Sequence, residues 1–123
     1  MRLYVNGTRV VNFTTETYPS SGSLSWVNAN TNFALGSFPL IGATPDPFDG
    51  YLADVNFVDS GALDPTAFGY ADSTTNQWLP KAYTGTYGTN GFHLDFSSGA
   101  LTSGSNVGLG KDSSGNGNYW NTN

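Results

Sequence analysis

The run Asp112-Ser113-Ser114-Gly115-Asn116-Gly117-Asn118 sets carboxylate, hydroxyl and amide oxygens close together on a glycine-rich stretch. Oxygen donors of these kinds are what a calcium ion takes up. Asp112, Asn116 and Asn118 are the expected metal ligands. The run lacks the acidic residue that closes an EF-hand loop, so it is not one. The same residues have a plainer use. Asp and Asn side chains readily bond their own backbone in Asx turns, and a string of such turns binds nothing. Asp46 and Asp49 offer a weaker acidic pair.

A second set of residues suits sugars. Pyranose rings stack on exposed aromatic faces, and neighbouring amides bond the ring hydroxyls. Trp78, Tyr83, Tyr87 and Trp120 stand in loop-like, glycine-rich surroundings, with Asn76, Gln77 and Asn90 nearby. The expected carbohydrate contacts are Trp78, Tyr83, Tyr87, Asn90 and Trp120. The competing role for these rings is to cover the edges of a core, as large aromatics often do.

Catalysis has less to draw on. His93 is the single histidine, two residues before Asp95 in a run that reads as a strand. Strand residues two apart share a face, so the pair can meet, but no nucleophile is tied to it. Glycoside hydrolysis needs two acids set across a cleft. The chain has one glutamate, Glu16, in a polar stretch. The expectation is a protein without catalytic residues.

Composition limits the partners. The chain has 123 residues, 11% of them charged, with a net charge of −5. No cluster of Lys or Arg is present, which argues against nucleic acid. There is no cysteine, hence no disulfide, no thiolate metal site and no cysteine nucleophile. No apolar run reaches spanning length, so no membrane insertion is expected. Few charges, 16 glycines and 15% aromatics point to an all-β, extracellular type of protein.

The elements that must position these residues are short. Asn6-Gly7, between Arg2–Val5 and Thr8–Val11, is the preferred pair for a type I′ hairpin turn. A short strand is expected at 23–27. Phe33 and Leu35 alternate with small residues and should face inward. Pro39, Pro45 and Pro47 exclude a central strand in their stretch. Residues 51–58 alternate as a strand with Tyr51, Ala53, Val55 and Phe57 on one face. Asp64-Pro65 can cap and open a single helical turn that Gly69 ends. Residues 92–96 read as a strand with Phe92, Leu94 and Phe96 inward. Leu3, Val5, Phe33, Leu35, Val55, Phe57, Leu94 and Phe96 are the expected core. Residues 97–123, rich in Gly, Ser and Asn, read as a linker.

Two segments carry a resemblance. Arg2-Leu3-Tyr4-Val5-Asn6-Gly7-Thr8, and Phe48-Asp49-Gly50-Tyr51-Leu52-Ala53-Asp54-Val55-Asn56-Phe57 with the following Ala62-Leu63-Asp64-Pro65, are similar to the hairpin and closing strand of laminin-G-like, concanavalin A-type lectin domains. Residues 83–92 and 112–118 resemble the version found in phage and marine-virus structural proteins. The resemblance implies an antiparallel jelly-roll β-sandwich over residues 1–96. It is partial, because such domains usually have several strands before this hairpin. It also implies that the 112–118 loop lies near the closing strand, which makes Asp54 a further possible metal ligand. Related enzymes carry Glu-x-Asp-x-x-Glu on one strand, and this chain has no such run. The implied function is a non-catalytic glycan-binding module of a virion or extracellular fibre. The alternative is a purely structural subunit of a capsid, fibre or filament. A sheet edge left open at the hairpin would favour a homo-oligomer, with the tail packed on a neighbour or back on its own sandwich.

Overall fold

The computed structural model describes residues 2–22, 33–38, 46–59 and 61–122. The strand expected at 23–27 lies outside them. Residues Asn12–Tyr51 form one compact unit, and Arg2–Val11 with Leu52–Asn123 form another. Among the described residues there is no α-helix, and none is long and apolar enough to cross a membrane.

Among the described residues, the strands are short and pair antiparallel in two-stranded sheets. In the first unit, β3 (Ser37–Phe38) pairs with β4 (Asp46–Pro47). Both are edge strands, which is where a proline such as Pro47 is tolerated. Phe33 and Leu35 are exposed rather than inward.

In the second unit, β1 (Tyr4–Val5) and β2 (Thr8–Arg9) form the expected hairpin. Asn6 and Gly7 have φ of 49° and 75°, the left-handed pair that a type I′ turn requires. Leu3 and Val5 are exposed, contrary to the core expected from their alternation. A lone two-stranded ribbon has nothing to bury its apolar face unless another element covers it.

β5 (Val55–Phe57) pairs with β8 (Phe92–Leu94), so that Val55 faces Leu94 and Phe57 faces Phe92. The two Phe rings stack at 5.4 Å. Leu94 is 1% exposed and is the centre of the core. Both strands are shorter than the alternation suggests, for one reason. Asp54 has φ 53° and Phe96 has φ 51°, and a left-handed residue cannot continue a pleat. Tyr51 and Ala53 are therefore exposed, and Phe96 leaves the face of Phe92 and Leu94.

Between these strands lies a single 3-10 turn, Pro65–Ala67. Asp64 caps it by accepting from the Thr66 N–H at 3.0 Å and the Thr66 hydroxyl at 2.7 Å. Gly69 does not end a helix but opens β6 (Gly69–Ala71), which pairs with β7 (Trp78–Pro80). Asp72 closes that hairpin, accepting from the backbone N–H groups of Thr74 and Thr75 at 3.0 and 2.7 Å. These bonds, Thr75's first, hold its carboxyl below the usual range.

The segment after Ser97 does not behave as its composition suggests. It folds back on β8, with a second 3-10 turn at Gly108–Gly110. The Trp120 N–H donates to the Gly110 carbonyl at 2.8 Å, and the Trp120 ring meets Phe92 edge-on at 5.2 Å. The tail thus packs on its own chain.

Candidate functional site

The tip of the β1–β2 hairpin and the end of the β6–β7 hairpin together line an open groove of about 710 Å³. Its walls are Asn6, Gly7, Thr8, Ala71, Asn76, Gln77 and Trp78. The half-buried indole of Trp78 is fixed by two glycines. A Cβ at Gly69 would lie 2.6 Å from its Cε2, and one at Gly7 would collide with Cζ3. Glycine at each position thus admits the ring. Ala71 faces Trp78 across the sheet. Asn76 is left-handed at φ 55°, a conformation that Asn tolerates and that turns the chain into β7.

The amides in this groove are unlike the others in the unit. Asn56, Asn90, Asn106, Asn116, Asn118 and Asn121 all use their side chains in internal hydrogen bonds. Among the described residues, the side chains of Asn6, Asn76, Gln77 and Thr8 make none. Their donors and acceptors face the groove or solvent.

The remaining candidate sugar contacts are employed within the fold. Tyr87 is 9% exposed, and its hydroxyl donates to Asn56 Oδ1 at 2.6 Å. Its ring stacks on His93 at 6.0 Å and meets Tyr83 edge-on at 5.1 Å. Burial, then the negative charges of Asp54 and others around it, push the Tyr87 phenol up. Tyr83 packs on Phe68 at 5.1 Å and donates to the Thr86 carbonyl at 3.1 Å. Asn90 gives both its backbone N–H and its amide to Asp59 Oδ2, at 3.1 and 2.7 Å. Trp120 covers Phe92. Of the five, Trp78 alone lines the groove with the free amides.

The 112–118 loop is tied into the fold from within. Asp112 is 2% exposed. Its Oδ1 accepts from the N–H groups of His93 and Ser114, both at 2.9 Å. Its Oδ2 accepts from the Ser114 hydroxyl and the Asn118 N–H, both at 2.8 Å. Burial raises its pKa and these bonds, His93's foremost, lower it further, so the net shift is downward. Asn116 donates to the carbonyls of Gly88 and Gly91 at 2.6 and 2.9 Å. Asn118 donates to those of Thr89 and Gly91, both at 2.9 Å. Asp112 makes a local turn with Ser114, and Asn116 and Asn118 pin the tail to the 88–91 turn. A cation at Asp112 would have to displace donors already in place. Among the described residues, no three of His, Cys, Asp and Glu converge as a metal group.

Asp54 pairs with His93, at 2.5 Å from Nε2 to Oδ1. The expected partner, Asp95, instead takes the Ser97 N–H at 2.9 Å and the Ser113 hydroxyl at 2.8 Å. The Ser97 backbone and hydroxyl, then Ser113, lower the Asp95 pKa to about 2. Left-handed Phe96 lets the chain turn back so that Ser97 reaches Asp95.

Sequence reasoning found Trp78 with Asn76 and Gln77 beside it. It missed Asn6 and Thr8 as groove residues. Their one signal was the Asn6-Gly7 turn, which fixes a hairpin tip but not what the tip touches. No family model, no curated protein and no solved structure matches the chain.

Proposed function

We propose that this chain is a non-catalytic glycan-binding module, built on a lectin-type β-sandwich and carried on a virion or extracellular fibre. The observation behind the reading is the Trp78 groove. It joins an anchored indole to amides and a hydroxyl with no internal partner, the combination that stacks a sugar ring and bonds its hydroxyls. Calcium has no place in this proposal, because the Asp112 acceptor positions are taken. The reading is non-catalytic because no nucleophile is tied to His93 in the sequence and Glu16 is the one glutamate. A glycan array with the purified chain tests the reading. Gln77→Ala together with Thr8→Ala should abolish retention while leaving the near-UV circular dichroism unchanged. These exposed side chains are better probes than Trp78, whose removal would also unseat Gly7 and Gly69. A folded chain that no glycan on the array retains would sink the proposal.

A second reading has its own support. Leu3, Val5 and Val11 on and beside the first hairpin are 48%, 57% and 66% exposed. Exposed apolar side chains beside an open strand edge favour assembly with other copies or another protein. Sedimentation at micromolar concentrations separates the readings. A monomer at every concentration counts against assembly, and oligomers that lack glycan binding count against the first proposal.

A further inference from the structure

We infer that the Trp78 groove selects neutral glycans and turns anionic ones away; the inference deepens the glycan reading and rests on it. The groove's polar side chains are carboxamides and a hydroxyl, namely Asn6, Thr8, Asn76 and Gln77. None of its lining residues is charged. A carboxamide offers two donors and an acceptor oxygen. It therefore suits sugar hydroxyls, which both give and take a hydrogen. A carboxylate or sulfate only accepts, and it gains most from Arg or Lys.

Among the described residues, no cation lines the groove to meet such a group. Arg9 follows Thr8 in β2, and strand alternation sends it to the opposite face. The fixed charge beside the groove is negative. Asp72 begins the turn that carries Asn76 and Gln77, and its own N–H bonds the Gln77 carbonyl at 2.8 Å. Three contacts within the turn, from the Thr74 and Thr75 N–H groups and the Thr75 hydroxyl, would be lost if the Asp72 carboxylate moved off to meet a ligand cation, so it stays as a rim charge. The chain as a whole has nine acidic and four basic residues. An anionic glycan would meet repulsion on approach and find no partner on arrival.

The groove's size fits more than one ring. Its volume of about 710 Å³ lies within the range of roughly 300–1,000 Å³ typical of ligand sites.

The test is saturation-transfer NMR on the intact protein with matched neutral and anionic saccharides, such as lactose against sialyllactose, and neutral β-glucan and N-acetylglucosamine oligomers against heparin fragments. Neutral members should give transfer and shift the Trp78 indole N–H resonance. Their affinity should change less than about twofold between low and high salt, since no screened charge pair is involved. Gln77→Ala and Thr8→Ala should each weaken binding by about three- to tenfold, the worth of one hydrogen bond. Tighter binding of the anionic member of each pair, falling steeply with salt, would overturn the inference and keep the glycan reading. Binding of neither class by the folded protein would overturn the glycan reading itself.

Discussion

Replacing Asp112 by Ala should destabilise the second unit by about 3 kcal/mol. The substitution removes the acceptor for the N–H groups of His93, Ser114 and Asn118. Each such donor left without a partner in a half-buried place costs at least about 1 kcal/mol. The Ser114 hydroxyl can rotate toward water and adds little. Against a total stability of about 5–15 kcal/mol for a domain, that is a large fraction. Asp112→Asn keeps the shape and one carbonyl oxygen but turns an NH₂ toward remaining donors. It should cost roughly half as much, about 1.5 kcal/mol. Urea unfolding followed by circular dichroism and tryptophan fluorescence gives the global values. Hydrogen exchange gives the local one. The N–H groups of His93, Ser114 and Asn118 should lose protection first, and that of Ser113, bonded to the His93 carbonyl, with them. A loss under about 0.5 kcal/mol, the size of an ordinary surface substitution, with native protection at His93, would show that the carboxylate is not the hub of this staple.

Acid should weaken the fold over a defined window. Asp95 titrates at about 2 and Asp112 below its ordinary 3.8 in the folded state, so their stabilisation is complete above pH 3.8 and is lost as pH falls toward about 2; urea midpoints should be level near neutrality and drop below about pH 4, less steeply in Asp95→Asn. Gly91→Ala should cost at least about 2 kcal/mol, because its Cβ would lie 2.6 Å from the Tyr87 carbonyl carbon and backbone cannot yield as a side chain does. Gly115→Ala, with nothing within 4 Å and only its φ of 93° against it, should cost nearer about 1 kcal/mol, and thermal melts that rank the two the other way would contradict the packing. Excess EDTA should leave the melting curve unchanged, and a clear fall in Tm would return the 112–118 loop to calcium.

What the sequence made legible was whatever is decided within a few residues. Asn6-Gly7 dictates its turn, and Asp64-Pro65 dictates its cap, whatever lies elsewhere. The lengths of β5 and β8 were not legible, because alternation continues through Asp54 and Phe96 while their backbones turn left-handed. Asp54 takes that conformation where its carboxylate meets His93, a partner 39 residues away. The β6–β7 hairpin was missed for a related reason. Its strands are three residues each, and its turn is closed by the Asp72 side chain rather than by an Asn-Gly or Asp-Gly pair.

The tail and the groove show a deeper limit. Both are made of Asn, Gly, Ser and Thr, and composition reads both as loop. A carboxamide serves equally well to bond a backbone carbonyl or a sugar hydroxyl, so residue type cannot separate a staple from a binding site. What separates them is whether its hydrogen bonds are already committed. Asn116 and Asn118 commit theirs to Gly88, Thr89 and Gly91, and the tail is thereby fixed without an apolar core of its own. Asn76 and Gln77 commit none among the described residues, although Gln77 stands next to the anchored Trp78. The same distinction sorts the aromatics. Gly85 admits the ring of Tyr83, and Gly91 admits the backbone of Tyr87, within the fold, whereas Gly7 and Gly69 admit the Trp78 ring at the wall of an open groove. Glycine beside an aromatic ring therefore marks close approach of backbone to ring, and only the path of the chain decides whether that approach buries the ring or presents it.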